Sequence, residues 1–545
     1  MKRLLIILSL AAIVAIPFAV RPKRPEAGRA ADTLVVVTPN NEAIRHEFGI
    51  GFESWYQRTT GRSIAIDWRV LGGTSEIARY LEGEYVASFR NYWTGGLGRP
   101  WSLAVEQGFQ RDPLSGEASP QEAEAREAFL HSDVGCGIDV FFGGGTYDFD
   151  RQALAGRLVP SGVVSRHPDW FNDGVIALEF DGEPYRDPQA RWLGSVISAY
   201  GIIYNRDALR RLGIGREPSR WSDLADPRLF GQVALCDPTK SGSIATAFEN
   251  VIQQEIHRQL RDLEAARKDS GAPGSRPDDG ALEARAVREG WMAGLRLLQE
   301  IGANARYFTD ASQKPPIDVA DGDCAAGMCI DFYGNQQQEA LRRRGDWGRV
   351  GFVSPPGGTA YSVDPVAILR GARNRAAAEA FMDYALSMEG QKLWAFKPGA
   401  PGGPVEFALR RLPIRRDFYA HDEWKALRSD PEAAPYAQAD PLVYRAEWTD
   451  PLFREMAFII RVMCQDTHDE LADAWRAILR AKGPAREEAL AELQDLSLVS
   501  YDRARGEISA ALGSKDQVDE VRLASRLAAE FRARYARAEK LAEGK

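Results

Sequence analysis

Apolar runs that end in short turns of small polar residues, each followed at once by a helical pattern, recur along this chain. Leu34 to Val37 runs into Thr38-Pro39-Asn40-Asn41, and Ile64 to Val70 into Gly72-Gly73-Thr74-Ser75. Gly137 to Phe142 runs into Gly143-Gly144-Gly145-Thr146, and Val233 to Leu235 into the stretch Asp237 to Ser243. Alternating strands and helices predict a mostly parallel α/β sheet. Such sheets bind ligands outside the carboxyl ends of their strands. One turn of this kind says little, because Gly and Ser are ordinary turn residues. Four in the same position of the unit point to a shared cleft.

The run V-A-L-C-D-P-T-K-S-G-S, Val233 to Ser243, carries the most chemistry. Its helix is expected to begin near Ile244. A helix start leaves backbone N–H groups unpaired and carries partial positive charge. Thr239, Ser241 and Ser243 can cap it, Gly242 lets a ligand approach the backbone, and Lys240 adds charge. The run reads as a receptor for an anion or a polar oxygen.

The length of 545 residues allows several domains with substantial cores. A formal net charge of −8 argues against nucleic acid as a partner, since phosphate backbones demand a basic face. Lys2 and Arg3 precede an apolar run, Leu4 to Val20, and Arg21-Pro22-Lys23-Arg24-Pro25 follows it. That is an export signal, cleaved or kept as an anchor, over residues 1–30, and it places the protein in a bacterial periplasm. The five cysteines match no zinc spacing. Buried free thiols are expected, with one Cys236–Cys329 bridge conceivable.

Ala43 to Tyr56 and Ala376 to Leu386 have helical periodicity. Residues 84–135 read as a loop or helical excursion, and 252–290 as two charged helices around a joint. Trp192 to Asn205 is an extended run too long for one short strand, suited to crossing between lobes. Ala325 to Tyr333 and Tyr361 to Leu369 read as further strands. Beyond Asp417 the character becomes mainly helical. Leu523, Leu527, Phe531 and Tyr535 recur every four residues, a packing face.

The ordered set V-V-V-T-P-N-N-E, G-G-T-S-E-I, G-I-D-V-F-F-G-G-G, Y-G-I-I-Y-N, V-A-L-C-D-P-T-K-S-G-S and G-M-C-I-D-F-Y resembles the extracellular solute-binding proteins of bacterial ABC importers. The likeness continues through D-P-V-A-I-L-R-G-A-R-N and A-F-M-D-Y-A-L-S-M-E-G-Q-K-L-W, covering Thr33 to Tyr419. It is nearest to the ferric iron, polyamine and phosphorylated-solute group. The resemblance implies an α/β, two-lobe type II periplasmic-binding-protein (flytrap) fold. Lobe 1 would comprise 31–198 plus 359–419, lobe 2 would be 199–358, and a helical extension would occupy 420–545. A monomer that delivers solute to an inner-membrane ABC permease is the implied partner arrangement.

Iron-binding members of the group carry two adjacent tyrosines where this chain reads Asp331-Phe332-Tyr333-Gly334, so one tyrosine stands there. An organic solute is therefore favoured, with a phosphorylated or otherwise anionic compound, a polyamine or a polyol as the classes. Thr38, Asn40, Asn41 and Glu42 form the first candidate wall. Gly73, Thr74, Ser75, Gly144, Gly145 and Thr146 extend it. Thr239, Ser241, Gly242 and Ser243 face it. Tyr147, Tyr200, Tyr333 and Tyr361 are candidate aromatic walls, with Asp331 and Glu42 placed to receive a cation. No cofactor and no resident metal is expected. A nucleophile elbow, a zinc-protease motif and a phosphate loop are all absent from the sequence, so binding is expected and catalysis is not. A ferric iron carrier and a membrane-anchored sensory protein on the same fold are the alternatives.

Overall fold

A computed structural model describes residues 30–545 apart from 113–115, 117, 270–278, 347, 439, 515 and 545. The expected export signal, residues 1–30, therefore lies outside the described residues but for Ala30. The first strands are β1 (Asp32–Val37), β2 (Ile64–Arg69), β3 (Val140–Phe142) and β4 (Leu158–Val159). A small hairpin, β5 (Glu179–Phe180) and β6 (Glu183–Pro184), precedes β7 (Trp192–Ser198) and β8 (Tyr200–Asn205). Then come β9 (Val233–Cys236), β10 (Ala305–Thr309), β11 (Ala326–Ile330) and β12 (Val350–Val353). Last are β13 (Ser362–Leu369) and β14 (Leu412–Pro413).

These strands build two main sheets with the same internal order. The seven-stranded sheet runs β14-β7-β13-β3-β1-β2, with β4 on β13, and the five-stranded sheet runs β10-β9-β11-β8-β12. In each, a central strand is flanked in parallel by the next two strands of its half, β1 by β2 and β3, β9 by β10 and β11. In each, an antiparallel strand from the other end of the chain half follows, β13 beside β3 and β8 beside β11. The fold is thus a two-lobed α/β architecture.

The chain passes between sheets at two places. β7 ends at Ser198 in one sheet and β8 begins at Tyr200 in the other, so the long apolar run is split at Ala199. The return lies between β12 and β13. The Tyr200 amide donates to Thr359 Oγ1 (3.0 Å), and the Tyr200 and Ser362 hydroxyls share a bond of 3.0 Å, tying the two crossings together. Beneath them Arg411, 2 % exposed, pairs with Asp364 at 2.6 Å and donates to the Ser198 hydroxyl. Removing one member of a buried pair leaves an uncompensated charge, so the pair holds the two crossings in one arrangement at a stability cost if broken.

Helices lead away from the strand ends: α1 (Glu42–Thr60), α2 (Thr74–Asn91) and α3 (Thr146–Leu154) from the first sheet. From the second come α4 (Gly242–Asp269), α5 (Asp279–Ala303), α6 (Lys314–Asp321) and α7 (Asp331–Arg343). α4 begins at Gly242, two residues before the expected Ile244. α4 and α5 pack side by side where Gly290 and Gly294 face Ile256 and Ile252. A Cβ at those glycines would lie 2.3 Å and 2.7 Å from the facing Cα atoms, so only glycine permits this approach.

The excursion after residue 84 is helical rather than a loop. α2 continues to Asn91, and helices Leu103–Phe109 and Pro120–Leu130 follow. Phe89, Phe109 and Phe129 hold them together, with ring centroids 4.6 Å and 5.1 Å apart along the series. Conversely, among the described residues 417–445 carries only short 3-10 turns, and in its second half Pro431, Pro435 and Pro441 each remove a backbone donor. Longer helices resume with α8 (Phe453–Ile460), α9 (His468–Arg480) and α10 (Gln517–Ala542). Leu523, Leu527, Phe531 and Tyr535 are all buried. The C-terminal region docks on α5: Trp291 donates to the Val499 carbonyl (3.0 Å), and Gln299 to the Leu493 carbonyl (3.0 Å) and Tyr535 (3.1 Å). All five cysteines are free, so the conceivable Cys236–Cys329 bridge does not form. Among the described residues no helix is long and apolar enough to cross a membrane.

Candidate functional site

A cleft of about 610 Å³ lies between the two sheets, lined by the turns at the carboxyl ends of their strands. From the first sheet come the turns opening α1, α2 and α3. From the second come those opening α4, α6 and α7, with Tyr200 and Asp364 at the crossings. Helix N-termini on both sides therefore bias the cleft toward negative ligand groups. Asn41 caps α1, its Oδ1 accepting from the Ile44 amide (3.1 Å). Ser241 Oγ accepts from the Ile244 amide (3.4 Å) and shares a bond of 3.2 Å with Ser243. The capping hydroxyl expected at the start of α4 is in place, and Ser243 offers a second hydroxyl to the cleft.

Twelve of the candidate residues line this cleft together: Asn40, Asn41, Glu42, Gly73, Thr74, Gly144, Gly145, Tyr200, Ser241, Gly242, Ser243 and Tyr333. The lobes touch at its edge, where a Cβ on Gly73 would lie 3.0 Å from the Lys240 carbonyl oxygen.

Seven candidates are placed elsewhere. Thr38 is fully buried; its hydroxyl donates to the Phe142 carbonyl (2.6 Å) and accepts from the Asn40 amide (3.0 Å), fastening the turn rather than facing a ligand. Thr146 opens α3 outside the cleft lining. Ser75 and Thr239 line a neighbouring chamber, where Thr239 Oγ1 donates to Asp237 (2.7 Å) and Ser75 to Asp148 (3.4 Å). Asp331 is buried, its Oδ1 accepting from the Phe332 amide (2.7 Å), and burial pushes its carboxyl up to about 7. It does not face the cleft as a cation receptor. Tyr361 also lies outside the lining, with burial raising its phenol to about 12. Tyr147 belongs to the neighbouring chamber too.

The cleft's phenols, Tyr200 and Tyr333, are both pushed above the ordinary range by burial. Tyr333 accepts from Gln313 at 3.2 Å. Phe332 also lines the cleft, in the place where the iron-binding pattern has its second tyrosine. Neutral phenols of this kind donate to oxygen acceptors and supply flat apolar faces.

Several lining residues carry no signal that the turn rule captured. Arg45 sits one turn into α1, and Glu76 accepts from the Gly73 amide (2.9 Å). Asp310, Ser312 and Gln313 form the turn between β10 and α6. The run Ala305-Arg306-Tyr307-Phe308-Thr309 is half polar and follows a charged helix, which hid the strand; Thr309-Asp310-Ala311-Ser312 was nevertheless a small polar turn of the same kind. Asp364 is reached only through the crossing.

Residues 138–418 match the family described as bacterial extracellular solute-binding protein. A Haemophilus influenzae protein of uncharacterised function is 30% identical over 266 residues, 48% of this chain and 61% of that protein. The phosphoglycerate transport regulatory protein PgtC of Salmonella typhimurium is 24% identical over 199 residues, 36% of this chain and 39% of its own. The chain therefore spans less than two thirds of the length of these relatives. Among solved structures, the periplasmic binding protein AfuA of Actinobacillus pleuropneumoniae superposes with a TM-score of 0.44 at 18% identity, covering 73% of this chain and 99% of that one. Iron-bound HitA of Pseudomonas aeruginosa gives 0.43 at 16% identity, covering 78% and 99%. With the family match extending over more than half of its residues, the chain belongs to the bacterial extracellular solute-binding proteins.

Proposed function

We propose that this protein captures a small anionic organic solute between its two lobes and hands it to an inner-membrane ABC permease from the periplasm. The carrying observation is the cleft itself, in which Ser241, Gly242 and Ser243 at the start of α4 and the cations Lys240 and Arg45 line the same space as the openings of α1, α2 and α3. A phosphate or carboxylate group would sit against the α4 opening, with Tyr200, Tyr333 and Phe332 against the carbon skeleton. The cleft volume suits a solute of sugar-phosphate size. The name of the Salmonella relative, which ties it to phosphoglycerate transport, agrees with a phosphorylated class.

In this reading residues 31–198 plus 359–419 are lobe 1, 199–358 are lobe 2, and 420–545 are an extension carried by lobe 2. Solute touching both lobes stabilises the closed form by its differential affinity. The protein acts as a monomer.

A thermal-shift screen over phosphorylated sugars, phosphoglycerates, polyamines, polyols and ferric salts tests the reading. Stabilisation by a phosphorylated or carboxylated solute, without turnover, is expected. Stabilisation by ferric salt alone, with a visible charge-transfer colour, would overturn the organic-solute assignment.

A further inference from the structure

A second chamber of about 790 Å³ lies on the other side of the Lys240–Gly242 turn, which borders both spaces. Three parts of the chain build it. α2 and α3, with Gln110, Asp112 and Arg157 beside them, supply one side, residues 237–240 with Gly242 a second, and the C-terminal region a third through α8, Leu512 and Glu520. Tyr147 of α3 lies against Phe453 of α8, ring centroids 4.6 Å apart, and joins the first and third walls.

Its lining is rich in cations: Arg79, Arg151, Arg157, Lys240, Arg454 and Arg461. Arg157 is only 4% exposed. Its guanidinium donates to the neutral side chains of Gln152 (2.9 Å) and Gln110, while its Nε has no hydrogen-bond partner among the described residues. The nearest carboxylate, Glu82, stands 4.0 Å away and is half exposed. Arg79, Arg151 and Lys240 have no carboxylate within 4.0 Å among the described residues, although Asp148 feels the charge of both arginines. The acids on the same walls are otherwise engaged. Asp237 accepts from Thr239 and Gln465 (3.1 Å), and Glu520 pairs with Arg454 at 2.7 Å. Asp112 has its own partners. Asp148 is buried.

A buried guanidinium with an unpaired N–H and weak charge compensation is costly unless something answers it. Arginine forks match the oxygens of phosphate and carboxylate groups, and bonds to such ions are the stronger kind. We propose that this chamber is a second anion site, taking the phosphate or carboxylate group of a small organic anion independently of the solute cleft. The C-terminal extension completes the chamber, because Phe453, Arg454, Phe458 and Arg461 supply one of its walls.

Calorimetric titration of the full chain with pyrophosphate and with citrate tests this. Saturable binding is expected that Arg79→Gln/Arg151→Gln weakens about tenfold or more, one lost charge-assisted bond being worth roughly that factor. Both replaced side chains are exposed, so the fold is retained, and a melting curve checks it. Arg157→Gln should abolish the same phase. Ser241→Ala/Ser243→Ala, placed in the cleft, should leave it intact. Loss of binding only in the serine variant would overturn the proposal, as would equal binding in the wild type and the Arg79→Gln/Arg151→Gln variant. Absence of saturable binding by either probe would overturn it as well. Because the cleft variant is separate, failure of the solute reading and failure of this one give different patterns.

Discussion

The two sheets share one strand order, yet the sides of the cleft they supply are chemically unlike. The first sheet offers small groups and backbone at its turns, Asn40, Asn41, Gly73, Thr74, Gly144 and Gly145, with the charges of Glu42, Arg45 and Glu76 just behind them. The second offers hydroxyls, a phenol and charge through Ser241, Ser243, Tyr333, Lys240 and Asp310. The second bears the larger added mass, with α4 and α5 extended and the C-terminal helices packed on them. In the proposed reading, the difference teaches that the shared topology fixes where a ligand goes, while the hydroxyls and phenol of the second side set most of its selectivity. The small groups of the first side allow close approach, as the Gly73–Lys240 contact illustrates, and the second side supplies the hydroxyl and phenol donors of its turns.

The largest effect should come from where the two sides are joined. Arg411→Ala leaves Asp364 buried and unpaired and should cost about 3–5 kcal/mol of stability. Urea unfolding measures it, and a loss under 1 kcal/mol, roughly that of an exposed pair, would show the junction to be soft. Next comes the added mass. Gly290→Val drives a Cβ into the Ile256 backbone and should cost about 1–3 kcal/mol. Fluorescence-monitored unfolding would separate loosening of α4–α5 from loss of the sheets.

A third handle is pH. Glu183 of the β5–β6 hairpin is buried, and burial, with added repulsion from Glu249 and Asp450, raises it from 4.5 to about 8. Glu249 on α4 is raised by the same burial. These carboxyls meet where the hairpin, α4 and the start of the extension come together, Glu249 accepting from Tyr444 (3.0 Å) and Thr449 (2.6 Å). The folded state keeps protons that the unfolded chain has released. Stability is therefore fully present below the unfolded value and lost as pH rises toward 8, with a slope of at most ~1.4 kcal/mol per pH unit per group. Glu183→Gln should flatten melting temperature against pH between about 5 and 8. An unchanged profile would show that Glu183 is ionised and solvated. The smallest effect belongs to the cleft: Ser241→Ala/Ser243→Ala should weaken an anionic solute about tenfold without moving the melting temperature of the free protein. If Asn40→Ala weakened it more than the serine pair, the assignment of selectivity to the second side would fail.

The opening of α4 was legible because its signals are local. An apolar strand, Asp237-Pro238 and a run of small hydroxyls specify a strand end and a capped helix whatever surrounds them. The same is true of Gly72 to Ser75 and Gly143 to Gly145. Thr38 and Asp331 looked equivalent in sequence and are not. Thr38 turns inward to the Phe142 carbonyl on a neighbouring strand, and Asp331 is folded onto its own helix start beside Phe332, which takes the cleft-facing place. Which of two adjacent side chains faces a ligand depends on strand pairing, and pairing is a long-range choice. The β10–α6 turn was hidden because its strand is short and half polar.

By itself the sequence determined the alternating units, the polar turns that open the helices, and a family resemblance carried by their order. Propensity, capping and the geometry of helix ends act over a few residues, so they can be read from a few residues. Only the tertiary structure decided which turns share one cleft and that Gly73 meets Lys240. It also decided that residues far apart in the chain, Arg157, Lys240 and Arg454, surround a second chamber. Those facts depend on pairing and packing across hundreds of residues, where burial sets both the direction of a side chain and the cost of its charge.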